Sequence, residues 1–204
     1  MNDVLVTPGE RVALNLRFKG ARTYLHGTDM VDEMARLAPG LTDLSLRIQK
    51  IATKPLAAVL LPDAIVGRKE LVALLNARRG GEKIALGLLE RDDGGVPGRY
   101  AYDEERVIAG AAVDADGRAA RMAWNGEYSF VEQLVALHKA LLQRCFASAG
   151  VHWYFTRLDI ARLPASFGTL SLEVTQALGV SLVRSAIAID DEALGDIYFS
   201  GVKQ

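Results

Sequence analysis

The stretch HWYFTRLDIARLPASFGTLSLEVTQALGVSLVRSAIAIDDEALGDIYFSGV, residues 152–202, decides the fold of this chain. Its first ten residues are rich in aromatic side chains, and Pro164 ends the strand that they predict. Residues 169–178 alternate between apolar and polar side chains, which is typical of a strand with one buried face. Two further strand patterns follow, joined by a turn at residues 190–192. The stretch therefore predicts a run of consecutive antiparallel strands.

A long apolar helix is predicted directly upstream. Ser129 and Glu132 have the spacing of a capping box, in which each side chain bonds the backbone N–H of the other residue. Apolar side chains then recur at helical spacing, at Phe130, Leu134, Leu137 and Leu141. Because this pattern lasts about four turns, we expect the strands to wrap around the helix. His138 lies on or beside the apolar face and is predicted to be a core histidine.

The chain carries this order of segments twice. Four segments of the first half resemble four of the second half: TPGERVALNLRFKG (7–20) with DADGRAARMAWNG (114–126), DMVDEMARL (29–37) with SFVEQLVAL (129–137), RIQKIATKPLA (47–57) with RLDIARLPA (157–165), and ELVALLNARRGGEKIALGLLE (70–90) with SLVRSAIAIDDEALGDIYFSG (181–201). The offset between partners stays between 100 and 111 residues, which is far longer than the ~20–50-residue period of a solenoid. We therefore predict a duplicated domain, with a first half at residues 1–98 and a second half at residues 99–204.

The first half predicts the same elements from weaker patterns. A turn at Pro8-Gly9 precedes a strand over residues 11–18, and a short amphipathic helix ends before Pro39-Gly40. On propensity alone, residues 68–81 favour a helix capped at Gly80. Their partner segment SLVRSAIAI is strand-like, so we predict a strand. Residues 91–105 are rich in glycine and charge, and we predict that they link the two halves.

A strand, a long apolar helix and a run of antiparallel strands resemble the hot-dog fold of the thioesterase and dehydratase superfamily, in its double hot-dog arrangement. Residues 152–202 carry the resemblance best, with a strand, a bend at Arg162-Leu163-Pro164, a small loop with Gly168 and three long strands. The resemblance implies an α+β protein, a double hot-dog in which two antiparallel sheets each wrap a central helix.

The resemblance also implies a ligand, an acyl thioester carried by coenzyme A or by an acyl carrier protein. In the superfamily, the thioester carbonyl lies at the N-terminus of the central helix, where backbone N–H groups and the helix dipole polarise it. A carboxylate on that helix activates water or moves a proton. The resemblance implies no cofactor and no metal.

His26-Gly27, ahead of the first helix, resembles the superfamily's His-Gly-Gly motif followed by an acid. The carried-over catalytic residues are His26, which would orient the carbonyl or the water, and Asp32 or Glu33 as the base. The substrate-binding backbone N–H groups would be those of Gly27, Thr28 and Asp29. Thr28 replaces the second glycine of the motif, and Ala35 stands where the acid normally lies. A plainer interpretation is that these acids cap the helix and complement its dipole.

In the second half, Glu132 is the counterpart of Asp32, and Tyr128 stands where the His-Gly pair would be. We predict that both residues contact substrate. The segment contains no histidine at this place, so a histidine-dependent mechanism cannot be symmetric between the halves. We therefore favour the first helix as the reactive one.

Three activities stay open at this point. Hydrolysis of an acyl thioester is the leading interpretation. Dehydration or hydration of a 3-hydroxyacyl thioester is the enzymatic alternative, because a histidine and an acid can shuttle one proton. A non-catalytic protein that binds acyl thioesters is the third, and the two departures from the motif favour it.

Composition argues against several other classes of protein. The net charge is −1 and the basic residues are scattered, whereas nucleic-acid binding needs clustered lysine and arginine. The longest apolar runs are too short for a membrane span, and the first ten residues do not read as a signal peptide. Cys145 is the single cysteine, which excludes an intramolecular disulfide and a multi-thiolate metal site. We expect a cytoplasmic protein without nucleic-acid or membrane partners, and a homodimer as its favoured assembly.

Overall fold

The structure is a computed structural model that describes residues 9–61, 70–147 and 150–203. Its chain divides into two compact units, residues 1–102 and 103–204. Pro8 of the predicted Pro8-Gly9 turn and Arg68-Lys69 of the predicted strand lie outside the described residues, as does Thr7 of the first repeated segment.

The first unit contains two short strands, a helix and then longer strands. Its elements are β1 (Arg11–Ala13), β2 (Phe18–Lys19), α1 (Gly27–Leu37), β3 (Thr42–Ile48), β4 (Leu56–Leu61), β5 (Leu71–Arg79), β6 (Glu82–Glu90) and β7 (Arg99–Tyr100). Within this unit, antiparallel strands lie in the order β1-β4-β6-β5-β3. β2 pairs separately and in parallel with β7.

The pairing of β2 with β7 corrects two predictions. The strand predicted over residues 11–18 is broken, because β1 pairs with β4 while β2 departs to a different partner. The linker predicted over residues 91–105 is partly structured, because Phe18 pairs with Arg99 and Lys19 pairs with Tyr100. Residues 99–102 therefore belong to the first compact unit.

The segment that favoured a helix on propensity is the strand β5, as the repeat predicted. β5 pairs with β3 on one side and with β6 on the other. Gly80 and Gly81 have φ values of 57° and 90°, and they connect Arg79 to its partner Glu82. Two residues with positive φ form the two-residue hairpin turn that matches the twist of paired strands. Gly80, which on propensity alone would cap a helix, therefore lies in a hairpin turn.

The second unit repeats the order of strand, helix and strands. Its elements are α2 (Glu104–Val107), β8 (Ala112–Val113), β9 (Ala119–Ala123), α3 (Phe130–Cys145), β10 (Val151–Arg162), β11 (Thr169–Leu178), β12 (Leu182–Ile189) and β13 (Glu192–Lys203). Its antiparallel strands lie in the order β10-β13-β12-β11-β9-β8. The predicted hairpin is present, with Asp190 and Asp191 at φ values of 50° and 66° between β12 and β13. The N–H groups of Gly168 and Thr169 donate to the Asp190 carboxylate and lower its pKa.

The two longer helices differ in how much of their surface is buried. α1 buries one stripe, formed by Thr28, Met30, Val31, Met34 and Leu37. α3 buries residues on most of its circumference, which include Gln133 and His138 as well as its apolar side chains. α3 therefore has the surroundings expected of a helix wrapped by strands. In the described part of the chain, none of the helices combines the length and apolarity of a membrane-spanning segment.

Candidate functional site

The candidate site begins at the N-terminus of α1, where His26 is the N-cap residue. Its backbone is extended, with φ −83° and ψ 141°. The side chain is 8% exposed, and within the described residues it makes no hydrogen bond to the N–H groups of the first turn. The imidazole instead lies beside Thr28, with Nδ1 2.8 Å from Thr28 Oγ1. Gly27 follows as the first, half-buried residue of the helix.

Thr28 and Asp29 continue a polar network from His26 into the protein. Thr28 is fully buried, and its hydroxyl donates to Asp29 Oδ1 over 3.0 Å. Tyr100 Oη donates to Asp29 Oδ2 over 2.7 Å. Both oxygens of the Asp29 carboxylate are therefore bonded to side chains in a largely buried position.

Lys19 is the cation of this network. It is fully buried, and its Nζ donates to Asp29 Oδ1 and to Thr28 Oγ1, each over 2.9 Å. Nζ also lies 4.3 Å from the centre of the Tyr102 ring, within the range of a cation–π interaction. A buried ammonium is tolerated only when it is paired and hydrogen-bonded, and these contacts meet that requirement.

Sequence reasoning missed Lys19 and Tyr100. Lys19 directly follows the predicted strand over residues 11–18, and Tyr100 lay in the predicted linker. Asp29 and Tyr100 are 71 residues apart in the chain, and no local pattern indicates a contact over such a separation. We find no signal in the sequence that identifies this network.

The structure separates the two proposed bases. Glu33 bonds Arg36, with Oε2 2.8 Å from Nη2, on the surface of α1. This is an ordinary i,i+3 ion pair between partly exposed side chains. Asp32 is half-buried and lies one turn after Asp29. Of the residues predicted around α1, His26, Thr28 and Asp29 therefore belong to one hydrogen-bond network. Glu33 lies outside this network and bonds Arg36 at the surface.

The N-terminus of α3 is closed by its own sequence. Ser129 Oγ accepts from the N–H of Glu132 over 3.1 Å, and Glu132 Oε2 accepts from the N–H of Ser129 over 3.0 Å, which confirms the predicted capping box. Gln133 is fully buried; its Oε1 accepts from the N–H of Asn125, and its Nε2 donates to the carbonyls of Asn125 and Tyr128. Tyr128 is half-buried beside this capped start. Sequence reasoning missed Gln133, which holds the preceding loop against the helix.

His138 lies in the core of the second unit, as predicted. It is fully buried, with Nε2 2.8 Å from Ser185 Oγ and its ring edge-on to Phe199. Its Nδ1 has no hydrogen-bond partner among the described residues. Burial lowers the pKa of the His138 imidazole from 6.5 to about 3. His138 is therefore a neutral core residue at physiological pH.

Comparison with known proteins identifies the architecture. The sequence matches no protein-family model and no curated protein. A proposed thioesterase from Novosphingobium aromaticivorans DSM 12444 is similar over 100% of both chains, with a TM-score of 0.50 and 13% identity. A proposed thioesterase II from Thermobifida fusca YX is similar over 98% of this chain and 96% of its own, with a TM-score of 0.51 and 10% identity. The dehydratase domain of PpsC from Mycobacterium tuberculosis, solved in complex with C12:1-CoA, is similar over 88% of this chain and 85% of its own, at a TM-score of 0.44 and 10% identity.

At such low identity, similarity shows the fold and not the activity. The first two structures extend over nearly the whole of this chain, and they confirm the predicted fold. The protein is an α+β double hot-dog.

Proposed function

We propose that this protein binds an acyl thioester at the N-terminus of α1 and hydrolyses it. The observation that carries the proposal is the position of His26, which caps α1 while its imidazole faces Thr28 rather than the N–H groups of the first turn. These N–H groups are therefore not occupied by the cap, and a helix N-terminus polarises a carbonyl placed against it.

The chemistry needs one water molecule and one proton acceptor. The water oxygen bonds the thioester carbon while the backbone N–H groups of Gly27, Thr28 and Asp29 hold the oxygen that becomes negative. A carboxylate takes the proton of the water, the C–S bond breaks, and the thiolate that leaves takes a proton. His26 orients the carbonyl or the water. We assign the base to Asp32, because it is half-buried and lies one turn after Asp29 in the same helix start.

The ligand class is proposed from the architecture. The two solved structures that extend over nearly the whole chain are both of proposed thioesterases. We therefore propose acyl-coenzyme A or an acyl carrier protein as the partner. The substrate contacts of Tyr128 and Glu132 stay predictions. The cytoplasmic location and the homodimer stay predictions.

A second candidate is a protein that binds acyl thioesters without turning them over. The observation that favours it is the engagement of the acids around the α1 N-terminus: Asp29 is paired with Lys19, and Glu33 is paired with Arg36. A carboxylate whose oxygens already accept hydrogen bonds from a cation has fewer lone pairs left to accept from a water molecule.

Release of free thiol from a panel of acyl-coenzyme A esters tests the proposal. The panel contains short, long and aromatic acyl groups, together with a 2-enoyl ester whose hydration is followed separately. We expect thiol release that falls about 100-fold or more in His26→Gln and in Asp32→Asn. His152→Gln is the matched histidine control, and Asp43→Asn, which changes an exposed aspartate, is the matched acid control.

The other outcomes are distinct. Thermal stabilisation by an ester without thiol release supports the binding protein. Hydration of the enoyl ester without thiol release supports a hydratase. Thiol release that is unchanged in both His26→Gln and Asp32→Asn contradicts the proposed site.

A further inference from the structure

Counted from the N-cap, Asp29 and Glu132 occupy the same position in their helices, although the repeat pairs Glu132 with Asp32. α1 begins after His26 and α3 begins after Ser129, so each acid is the third residue of its helix. The helix dipole and the N–H groups of the helix start attract a carboxylate at this position. In α3 the carboxylate bonds the helix start, since Glu132 Oε2 accepts from the N–H of Ser129 over 3.0 Å.

The Asp29 carboxylate bonds different groups. Oδ1 accepts from Lys19 Nζ over 2.9 Å and from Thr28 Oγ1 over 3.0 Å, and Oδ2 accepts from Tyr100 Oη over 2.7 Å. In the described part of the chain, no backbone N–H group donates to this carboxylate. The acid of α1 is therefore bonded to side chains, whereas the equivalent acid of α3 is bonded to the backbone of its own helix start.

Lys19 and Tyr100 reach Asp29 together because the strands that carry them are paired. β2 and β7 are parallel, and Lys19 lies directly opposite Tyr100 in their register. The buried ammonium of Lys19 supplies a full positive charge 2.9 Å from Asp29 Oδ1, whereas a helix N-terminus supplies roughly half a charge, spread over several N–H groups. The attraction of the carboxylate to Lys19 therefore exceeds its attraction to the helix start, and Tyr100 bonds its second oxygen.

We infer that Lys19 and Tyr100 hold the Asp29 carboxylate away from the first turn of α1 and so leave the N–H groups of this turn to the carbonyl oxygen of the ligand. The second part rests on the proposed function, in which the N–H groups of Gly27, Thr28 and Asp29 bond the oxygen that becomes negative. A carboxylate bonded to these groups would occupy the donors and repel that oxygen. Lys19 and Tyr100 are positioning residues, since they act on the reaction through Asp29.

Nuclear magnetic resonance of the substrate-free protein tests the position of the carboxylate. A scalar coupling across a hydrogen bond joins an amide nitrogen to the carbon of the carboxylate that accepts its proton. In the wild type, we expect this coupling between Ser129 and Glu132, which serves as the internal reference, and not between the first turn of α1 and Asp29. A merely structural network would leave this pattern unchanged when Lys19 or Tyr100 is replaced.

Two variants release the carboxylate to different extents. Lys19→Met removes the charge that competes with the helix start, and we expect a coupling from a first-turn amide to Asp29 to appear. Tyr100→Phe keeps the ring and removes one donor, so we expect the same coupling to be weaker. Lys50→Met and Tyr198→Phe are the matched controls, because Lys50 bonds Glu90 and Tyr198 lies in β13 of the second unit. Both controls should show the wild-type pattern.

Thiol release measures the consequence for turnover. We expect Lys19→Met to lower kcat roughly tenfold or more at unchanged KM, because the donors that it loses act on the transition state. Tyr100→Phe should lower kcat in the same direction by a smaller factor. Lys50→Met and Tyr198→Phe should keep the wild-type kcat.

A coupling between a first-turn amide and Asp29 in the wild type overturns the inference, whether or not the variants fold. The absence of this coupling in both Lys19→Met and Tyr100→Phe overturns it as well. A coupling that appears in the variants while kcat stays unchanged overturns its second part. Because the spectra need no substrate, a new coupling in Lys19→Met of a protein that releases no thiol contradicts the proposed function and leaves the first part standing.

Discussion

The N-termini of α1 and α3 start the same kind of helix in two different ways. At α3, the capping box of Ser129 and Glu132 and the side chain of Gln133 bond the backbone around the helix start. At α1, His26 stands at the cap, and the first turn is held through Lys19 and Tyr100 from distant parts of the first unit. The start of α3 is therefore held by neighbours within a few residues, whereas the start of α1 is held by a buried polar network from distant parts of the first unit.

The two histidines associated with these helices also differ in their surroundings. His138 lies in the apolar interior beside Ser185, and burial keeps it neutral. His26 is nearly buried too, but it ends a chain of charged and hydroxyl groups. The comparison shows that burial alone does not make a histidine a candidate for proton transfer. The two rings differ in their hydrogen-bond partners, which include Ser185 for His138 and Thr28 for His26.

Breaking the α1 network should have the largest effect on stability. Lys19→Met leaves the Asp29 carboxylate without its ammonium, and removal of one partner from a buried ion pair costs about 3–5 kcal/mol. We expect a loss of this size in the free energy of unfolding, measured by urea denaturation. Adding Asp29→Asn to Lys19→Met should recover part of the loss, because the uncompensated charge is then removed.

Lys50→Met is the matched control for Lys19→Met. Lys50 bonds Glu90 over 3.0 Å, but its side chain is 38% exposed. A pair of this kind contributes less than about 1 kcal/mol. Equal losses in Lys19→Met and Lys50→Met would show that the α1 network does not hold the first unit together.

The neutral core histidine of α3 should make stability depend on pH. The pKa of His138 is about 3 in the folded protein and about 6.5 when the chain is unfolded, so the unfolded chain binds more protons between these values. Stability therefore falls as the pH drops below about 6.5, by about 2 kcal/mol at pH 5. We expect this loss in urea denaturation of the wild type, and we expect it to be absent in His138→Gln.

His152→Gln is the control for this pH dependence, since His152 lies at the start of β10 and is half-buried. His152→Gln should show the same dependence of the free energy of unfolding on pH as the wild type. A wild-type slope that survives in His138→Gln would assign the pH dependence to other groups.

The smallest effect is expected at the cap of α3. Ser129→Ala removes the hydrogen bond to the Glu132 N–H and should lower the free energy of unfolding by about 1 kcal/mol. Ser129→Asn should restore most of it, because asparagine is also a good N-cap residue. Thermal unfolding measures both, and an unchanged Ser129→Ala would mean that Gln133 alone closes this helix start.

Much of the second unit was predictable because its signals are local. The alternation of residues 169–178, the capping box at Ser129 and the turn at Asp190-Asp191 each act within a few residues. β5 was ambiguous, since its leucine and alanine residues favour a helix, and only its repeat partner indicated a strand. Pairing with β3 and β6 overrides that propensity.

The α1 site was predictable only in part. The position of His26 before a helix is a property of the sequence, and so is the presence of acids in the following turns. The bonding of those acids was not predictable. Asp29 forms an ion pair with Lys19, and Glu33 forms one with Arg36. The orientation of such side chains depends on which residues the fold places beside them.

The sequence by itself determined the order of the elements, the duplication and the helix that begins after His26, because periodicity and capping are short-range properties. Only the tertiary structure decided that Lys19 is buried beside Asp29 and that Tyr100 completes their network. The pairing of β2 with β7 brings these residues together. A buried charge is stable only where folding supplies its partner, so its role depends on contacts that no local pattern contains.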